Sequence, residues 1–122
     1  MAILLVLDVK KDTVRLAQCN ELDDYYRELD VEIFDIARRK IGGQYYDIFV
    51  GDVGLYRENP VISAVSAKAE PMLVGNLIFA NHDGSGETVS LNDSDIKRII
   101  DSLVRIKSVD EDKWHLAVTC EY

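Results

Sequence analysis

Apolar positions along this chain switch between a period of two and a period near three and a half, and the switches mark its elements. Ala2 to Val9 is apolar and β-branched, the composition of a buried strand. Lys10-Lys11-Asp12 then reads as a polar turn into Thr13 to Cys19, where Val14 and Leu16 alternate with Arg15 and Ala17, so the opening predicts a hairpin. Asn20 changes the rhythm. As an N-cap it opens a short helix from Glu21 to Leu29, with Leu22, Tyr25, Tyr26 and Leu29 on one stripe and Glu21, Asp23 and Asp24 in the first turn, where the helix dipole favours acids. Val31 to Ile41 and Gln44 to Val50 flank Gly42-Gly43, a two-residue loop of the kind tight hairpins use. Gly51 to Gly54 reads as a turn and Leu55 to Pro60 as a short extended piece, because a proline keeps the residue before it out of the helical region. Val61 to Glu70 fits an exposed connection or a loosely specified strand equally well.

Met72 to Ala80 predicts one strand interrupted by Gly75, and the glycine-rich turn Asn81 to Gly86 joins it to Glu87 to Leu91 as a third hairpin. Asn92 or Asp93 then caps a long amphipathic helix reaching Lys107. Ile96, Ile99, Ile100, Leu103 and Ile106 recur at helical spacing on it, and Lys97, Arg98, Asp101 and Arg105 take the wet side. After a polar turn from Ser108 to Lys113, Trp114 to Cys120 reads as a last strand joining the sheet edge. The expected architecture is a single α+β domain over residues 1–122. It has a mainly antiparallel sheet of hairpins, with the long amphipathic helix on one face and the short acidic helix beside it. Unprotected strand edges in such a sheet predict a homo-oligomer.

Composition narrows the classes. The chain has 122 residues, 48% of them apolar and 30% charged, which is enough to bury a core without disulfide or metal staples. There is no apolar run of the roughly 18 residues a membrane helix needs, and Ile3 to Leu7 has neither the basic segment before it nor the small-residue site after it that a signal peptide shows. A cytoplasmic setting is expected. Cys19 and Cys120 stand far apart and read as free thiols, and His82 and His115 are isolated in sequence, so neither a metal nor another cofactor is predicted.

Catalytic patterns are missing from the sequence. The close acid pairs Asp23 with Asp24, Glu32 with Asp35 and Asp93 with Asp95 are each accounted for by helix capping or solvation, and no nucleophile elbow, zinc-protease or phosphate-loop motif occurs. Asn81-x-Asp83-x-Ser85-Gly86 matches the first half of a calcium loop, yet the twelfth position is Asn92 where a bidentate Glu is required. The chain therefore reads as non-enzymatic. Its charge is the more informative signal: 14 Lys and Arg stand against 22 Asp and Glu, a net −8 that repels a nucleic-acid backbone. Seven acids, Glu21, Asp23, Asp24, Glu28, Asp30, Glu32 and Asp35, fall within sixteen residues that hold one base, Arg27. A single-sign surface of that kind steers a basic protein partner. Arg38-Arg39-Lys40 is the one basic cluster, and the tyrosine pairs at 25–26 and 45–46 offer one ring each to an interface.

Gly51-Asp52-x-Gly54-Leu55, Glu58-Asn59-Pro60, Val74-Gly75-Asn76-Leu77-Ile78, Asp83-Gly84 and Ser90-Leu91-x-Asp93-x-Asp95-Ile96 together resemble a small domain-of-unknown-function family. That family is carried by phages and mobile elements, often near antirestriction genes. The resemblance covers roughly residues 1 to 100. The glutamine-rich helix of many members is replaced here by the acidic Glu21 to Leu29, and the tail from Trp114 to Tyr122 has no counterpart. What the resemblance implies is an accessory protein working in a host cell against a defence system, with no catalytic residue to carry over. Two mechanisms fit. In the first, the seven acids stand in for phosphates and occupy the basic nucleic-acid channel of a host defence nuclease. In the second, an oligomer sequesters a defence signalling nucleotide at Arg38, Arg39 and the turn holding Asn81, Asp83 and Ser85. A structural domain with no defence role is the third reading.

Overall fold

The computed structural model describes residues 2–31, 33–51, 61–107 and 113–122. Two sheets and two short helices make up that part of the chain, about 55% strand and 16% helix. In the central sheet, β1 (Ala2–Asp8) pairs with β2 (Thr13–Cys19), and β3 (Phe34–Ile41) pairs with β4 (Gln44–Gly51). Between these hairpins lies β7 (Leu77–His82), antiparallel to both β1 and β4, with the two-residue β8 (Thr88–Val89) beside its end. The order is β2-β1-β7-β4-β3. The second sheet runs β6 (Pro71–Val74), β5 (Ile62–Val65), β10 (Trp114–Thr119), β9 (Leu103–Lys107), and its β10–β5 pair is parallel.

Alternation along the strands produces two cores. Leu5, Leu7, Tyr46, Ile48 and Phe79 point from the central sheet toward Ala64 and Val118 of the second sheet and Ile99 of α2 (Asp93–Asp101). Leu4, Val6, Phe49 and Ile78 point the opposite way, against Tyr25 and Leu29 of α1 (Leu22–Leu29). Because β1 and β7 are covered on both faces, they are apolar at almost every position, whereas β3 at the edge carries Asp35, Arg38, Arg39 and Lys40. Polar ties hold the layers in register. Asn76, buried between β6 and β7, accepts from the Val9 amide at 2.9 Å and donates to the Glu28 carbonyl at 3.1 Å, fixing α1 to the sheet. The Tyr46 hydroxyl donates to Asp95 at 2.7 Å and accepts from Arg98 at 2.6 Å, fixing α2. Burial pushes that phenol's pKa above its usual value.

The expected α+β architecture is corrected to a mostly β one, because no long amphipathic helix covers the sheet. The helix opened by Asn92 ends at Asp101, where the Ser102 hydroxyl donates to the Arg98 carbonyl, and 103–107 pairs as β9 with β10. Ladder bonds to β10 and the β-branched Val104 and Ile106 outweigh the helical spacing there. The strand read from Met72 to Ala80 is two strands in different sheets, broken where Gly75 takes φ +81°. The last strand does not lie at an edge: β10 is inside the second sheet, and its Ala117 and Val118 are fully buried. Glu21, not Asn20, is the N-cap of α1, in a capping box with Asp24. The first two hairpins stand as expected, the second with both loop glycines at positive φ. The expected turn over 51–54 past Gly51, the extended piece at 55–60, and most of the turn at 108–113 lie outside the described residues, as does Glu32.

Candidate functional site

Six of the seven acids lie among the described residues, and three of those six are paired with bases. Asp24 accepts from the Asn20 and Glu21 amides at 2.8 and 3.1 Å and pairs with Arg27 at 2.9 Å, and those amide bonds, Asn20 first, hold its pKa below the ordinary range. Glu28, largely buried, pairs with Arg15 of β2, and Asp30 pairs with Lys10 of the first turn. Glu21 contributes its main chain to the cap, its amide donating to Asp24 and its carbonyl accepting from the Asp24 amide at 3.0 Å. Asp35 shares a face of β3 with Ala37 and Ile41, which is the face turned away from α1. Asp23 is exposed on α1. Folding thus brings two bases from the first hairpin onto an acidic segment that holds only Arg27 of its own.

The basic run divides in the same way, because successive strand residues face opposite sides. The Arg39 guanidinium stacks 4.7 Å from the centroid of the exposed Tyr122 ring and donates to the Arg38 carbonyl. Arg38 and Lys40 point to the other face of the central sheet, beyond the area covered by α1. There they flank the half-exposed ring of Tyr45, with the Arg38 guanidinium carbon at 5.5 Å and Lys40 Nζ at 6.0 Å from its centroid. Cations over a phenol face are attracted by its quadrupole. The Tyr45 hydroxyl reaches the Tyr122 carbonyl at 3.4 Å, so the chain's last residues border this face. The main chain at Glu121 pairs with Lys40, and a cleft of about 450 Å³ opens between Lys40, Gly43, Asp101 and Glu121.

Next to Tyr45 on this face, three strands converge on one carboxylate. Asp47 of β4, 15% exposed, accepts from Arg38 of β3 at 3.0 Å through Oδ1 and from His82 of β7 at 2.6 Å through Oδ2. Since a carboxylate only accepts, Nδ1 of His82 carries the proton and donates it to Asp47, which leaves Nε2 facing solvent. Arg38 engages Asp47 through NH1, and the rest of its five-donor fork is available. The ensemble therefore presents fixed cations, an aromatic face and an imidazole nitrogen side by side.

The turn expected to hold a ligand is brought to this site through its first residues alone. His82 follows Asn81, whose side chain accepts from the His82 amide. Asp83 is spent inside the turn, accepting from the Ser85 hydroxyl at 2.7 Å and from the Ser85 and Glu87 amides, and these bonds hold its pKa low. Among the described residues no group of His, Cys, Asp and Glu is arranged to hold a metal ion. Cys19 and Cys120 are buried free thiols. Burial pushes Cys19 up to about 11 and raises Cys120 as well, so neither is a thiolate nucleophile near neutral pH. Sequence reasoning placed Lys40 in the basic cluster and Tyr45 in a tyrosine pair, but missed Asp47, His82 and Tyr122. One of these was within reach: a two-residue Gly42-Gly43 loop sets Ile41 opposite Gln44 and so Arg38 opposite Asp47. His82 and Tyr122 depend on non-local pairing, which leaves no local signal.

Fold and site together define a mostly β two-sheet domain with an open face of cations and tyrosine at the end of its central sheet. By sequence, the chain belongs to the family described as a domain of unknown function, DUF3846, which matches residues 1–104. No curated protein and no solved structure matches it. The matched segment stops before β10, whose Val118, with Leu116 beside it, completes the core between the sheets. Among the described residues, no helix is long and apolar enough to cross a membrane.

Proposed function

We propose that this protein is a non-enzymatic binding module for a nucleotide-class ligand, held on the face formed by Arg38, Lys40, Tyr45 and His82. One observation carries this reading: in a chain of net charge −8, the exposed Arg38, held by Asp47, and the half-buried Lys40 flank the exposed ring of Tyr45, while three acids of 20–35 are drawn into pairs with bases. A planar base stacks on such a ring, and a phosphate takes the flanking cations. The strong overall negative charge favours a small anion over a polymer, because each further phosphate is repelled by the rest of the molecule. In the phage or mobile-element setting that the resemblance implies, the ligand is a signalling nucleotide of a host defence pathway, and the module acts by sequestering it.

The competing reading is an acidic decoy that occupies a defence nuclease. Calorimetric titration with AMP separates the two. Arg38→Gln with Lys40→Gln is expected to weaken AMP binding at least about tenfold, the worth of one hydrogen bond to a charged group, and Asp23→Lys to leave it unchanged. No heat with AMP, together with a co-isolated protein lost in salt and lost in Asp23→Lys, would replace this reading with the decoy.

A further inference from the structure

Resting on that reading, we infer that the site selects ribonucleotides over deoxyribonucleotides, and that Nε2 of His82 makes the choice by accepting a hydrogen bond from the ribose 2′-hydroxyl. Asp47 sets this up. Its Oδ2 lies 2.6 Å from Nδ1 of His82, so the neutral ring is held as the Nδ1–H tautomer with its lone pair on Nε2. That nitrogen has no hydrogen-bond partner among the described residues, and the ring is 38% exposed.

The neighbours decide what such an acceptor meets. Arg38 NH1 lies 3.3 Å from Nδ1, so a phosphate on the remaining donors of Arg38 sits beside the imidazole. The guanidinium in turn lies 5.5 Å from the centre of the Tyr45 ring, so a base stacked on Tyr45 has its own phosphate near Arg38. The sugar bridges base and phosphate, and the 2′-hydroxyl, which both donates and accepts, is the group by which a protein tells a ribonucleotide from its deoxy counterpart. Lys40 and Arg38, as cations, are taken by the phosphate, which leaves Nε2 of His82 as the uncharged group beside the sugar. Asp47 does not touch the ligand. It is a positioning residue, holding both the guanidinium and the ring.

The test is calorimetric titration of the full chain with AMP and with 2′-deoxy-AMP. The expected result is a preference of about fivefold for AMP, the worth of one exposed hydrogen bond. His82→Ala is expected to bind both equally. In Asp47→Asn the neutral amide no longer fixes the ring proton on Nδ1, so a preference smaller than that of the wild type is expected although His82 is still present, and a preference of unchanged size would show that Asp47 does not position the ring. Equal binding of the two nucleotides by the wild type, or a preference surviving in His82→Ala, would overturn the inference while leaving the binding face intact. If neither nucleotide binds, the proposed function itself fails.

Discussion

Asp12 shows how much one side chain can decide. At the turn between β1 and β2, with φ +54°, it accepts from the Leu116 amide at 2.7 Å and from Arg105 at 3.0 Å, so the first hairpin is tied to β10 and β9 of the second sheet. The Leu116 bond, more than the Arg105 charge, pulls its pKa below the usual 3.8. A carboxyl with a lowered folded-state pKa adds stability that is fully present above its unfolded value and is lost as pH falls through the folded one. Asp12→Asn keeps an acceptor and the tolerance for positive φ but removes the charge. It is expected to cost about 1 kcal/mol at neutral pH, discounted because the group is about one-third exposed, and nothing once the pH is below the folded pKa. Urea denaturation of both proteins from neutral to acid pH checks this; a gap that persists in acid would assign the effect elsewhere. In the sequence, Asp12 is a turn residue like many others. Its role depends on a partner 104 positions away, and the same holds for Asn76, whose two partners are also distant in sequence.

At the scale of elements, what was legible is what is local. The hairpin over Gly42 and Gly43 follows from chain chemistry alone, since both loop residues need positive φ. Two elements misled because periodicity counts spacing and not partners. Residues 103–107 continue a helical apolar stripe yet gain more by pairing with β10, and 72–80 reads as one strand although its halves belong to different sheets. The packing of α2 on the hairpin gives a prediction of its own. A β-carbon at Gly42 would come within 2.6 Å of Arg98 Cγ, whereas one at Gly43 would meet nothing within 4 Å. Both carry the strain of positive φ, about 1 kcal/mol for alanine, but only Gly42→Ala also displaces the guanidinium that holds Tyr46 and Asp95. Gly42→Ala is therefore expected to lower the denaturation midpoint more than Gly43→Ala, and equal losses would mean that this contact does not matter to α2.

For the whole molecule, charge in sequence and charge in space give different pictures. Three of the seven acids in the densest acidic segment are paired with Lys10, Arg15 and Arg27, so its one-dimensional excess does not become a field of the same strength. The small basic run, which alternation splits between two faces, joins residues from β4 and β7 that no local pattern connects to it. The candidate site was thus legible at Arg38 and not at His82, whose position depends on β7 lying between the two hairpins. The central claim is that this face, and not the acidic segment, binds. It is tested most directly by mapping amide chemical-shift changes on the isotopically labelled protein as AMP is added. The account predicts saturable shifts at Arg38, Lys40, Tyr45, Asp47 and His82, with α1 unmoved. Shifts centred on α1, or none at any concentration, would contradict it.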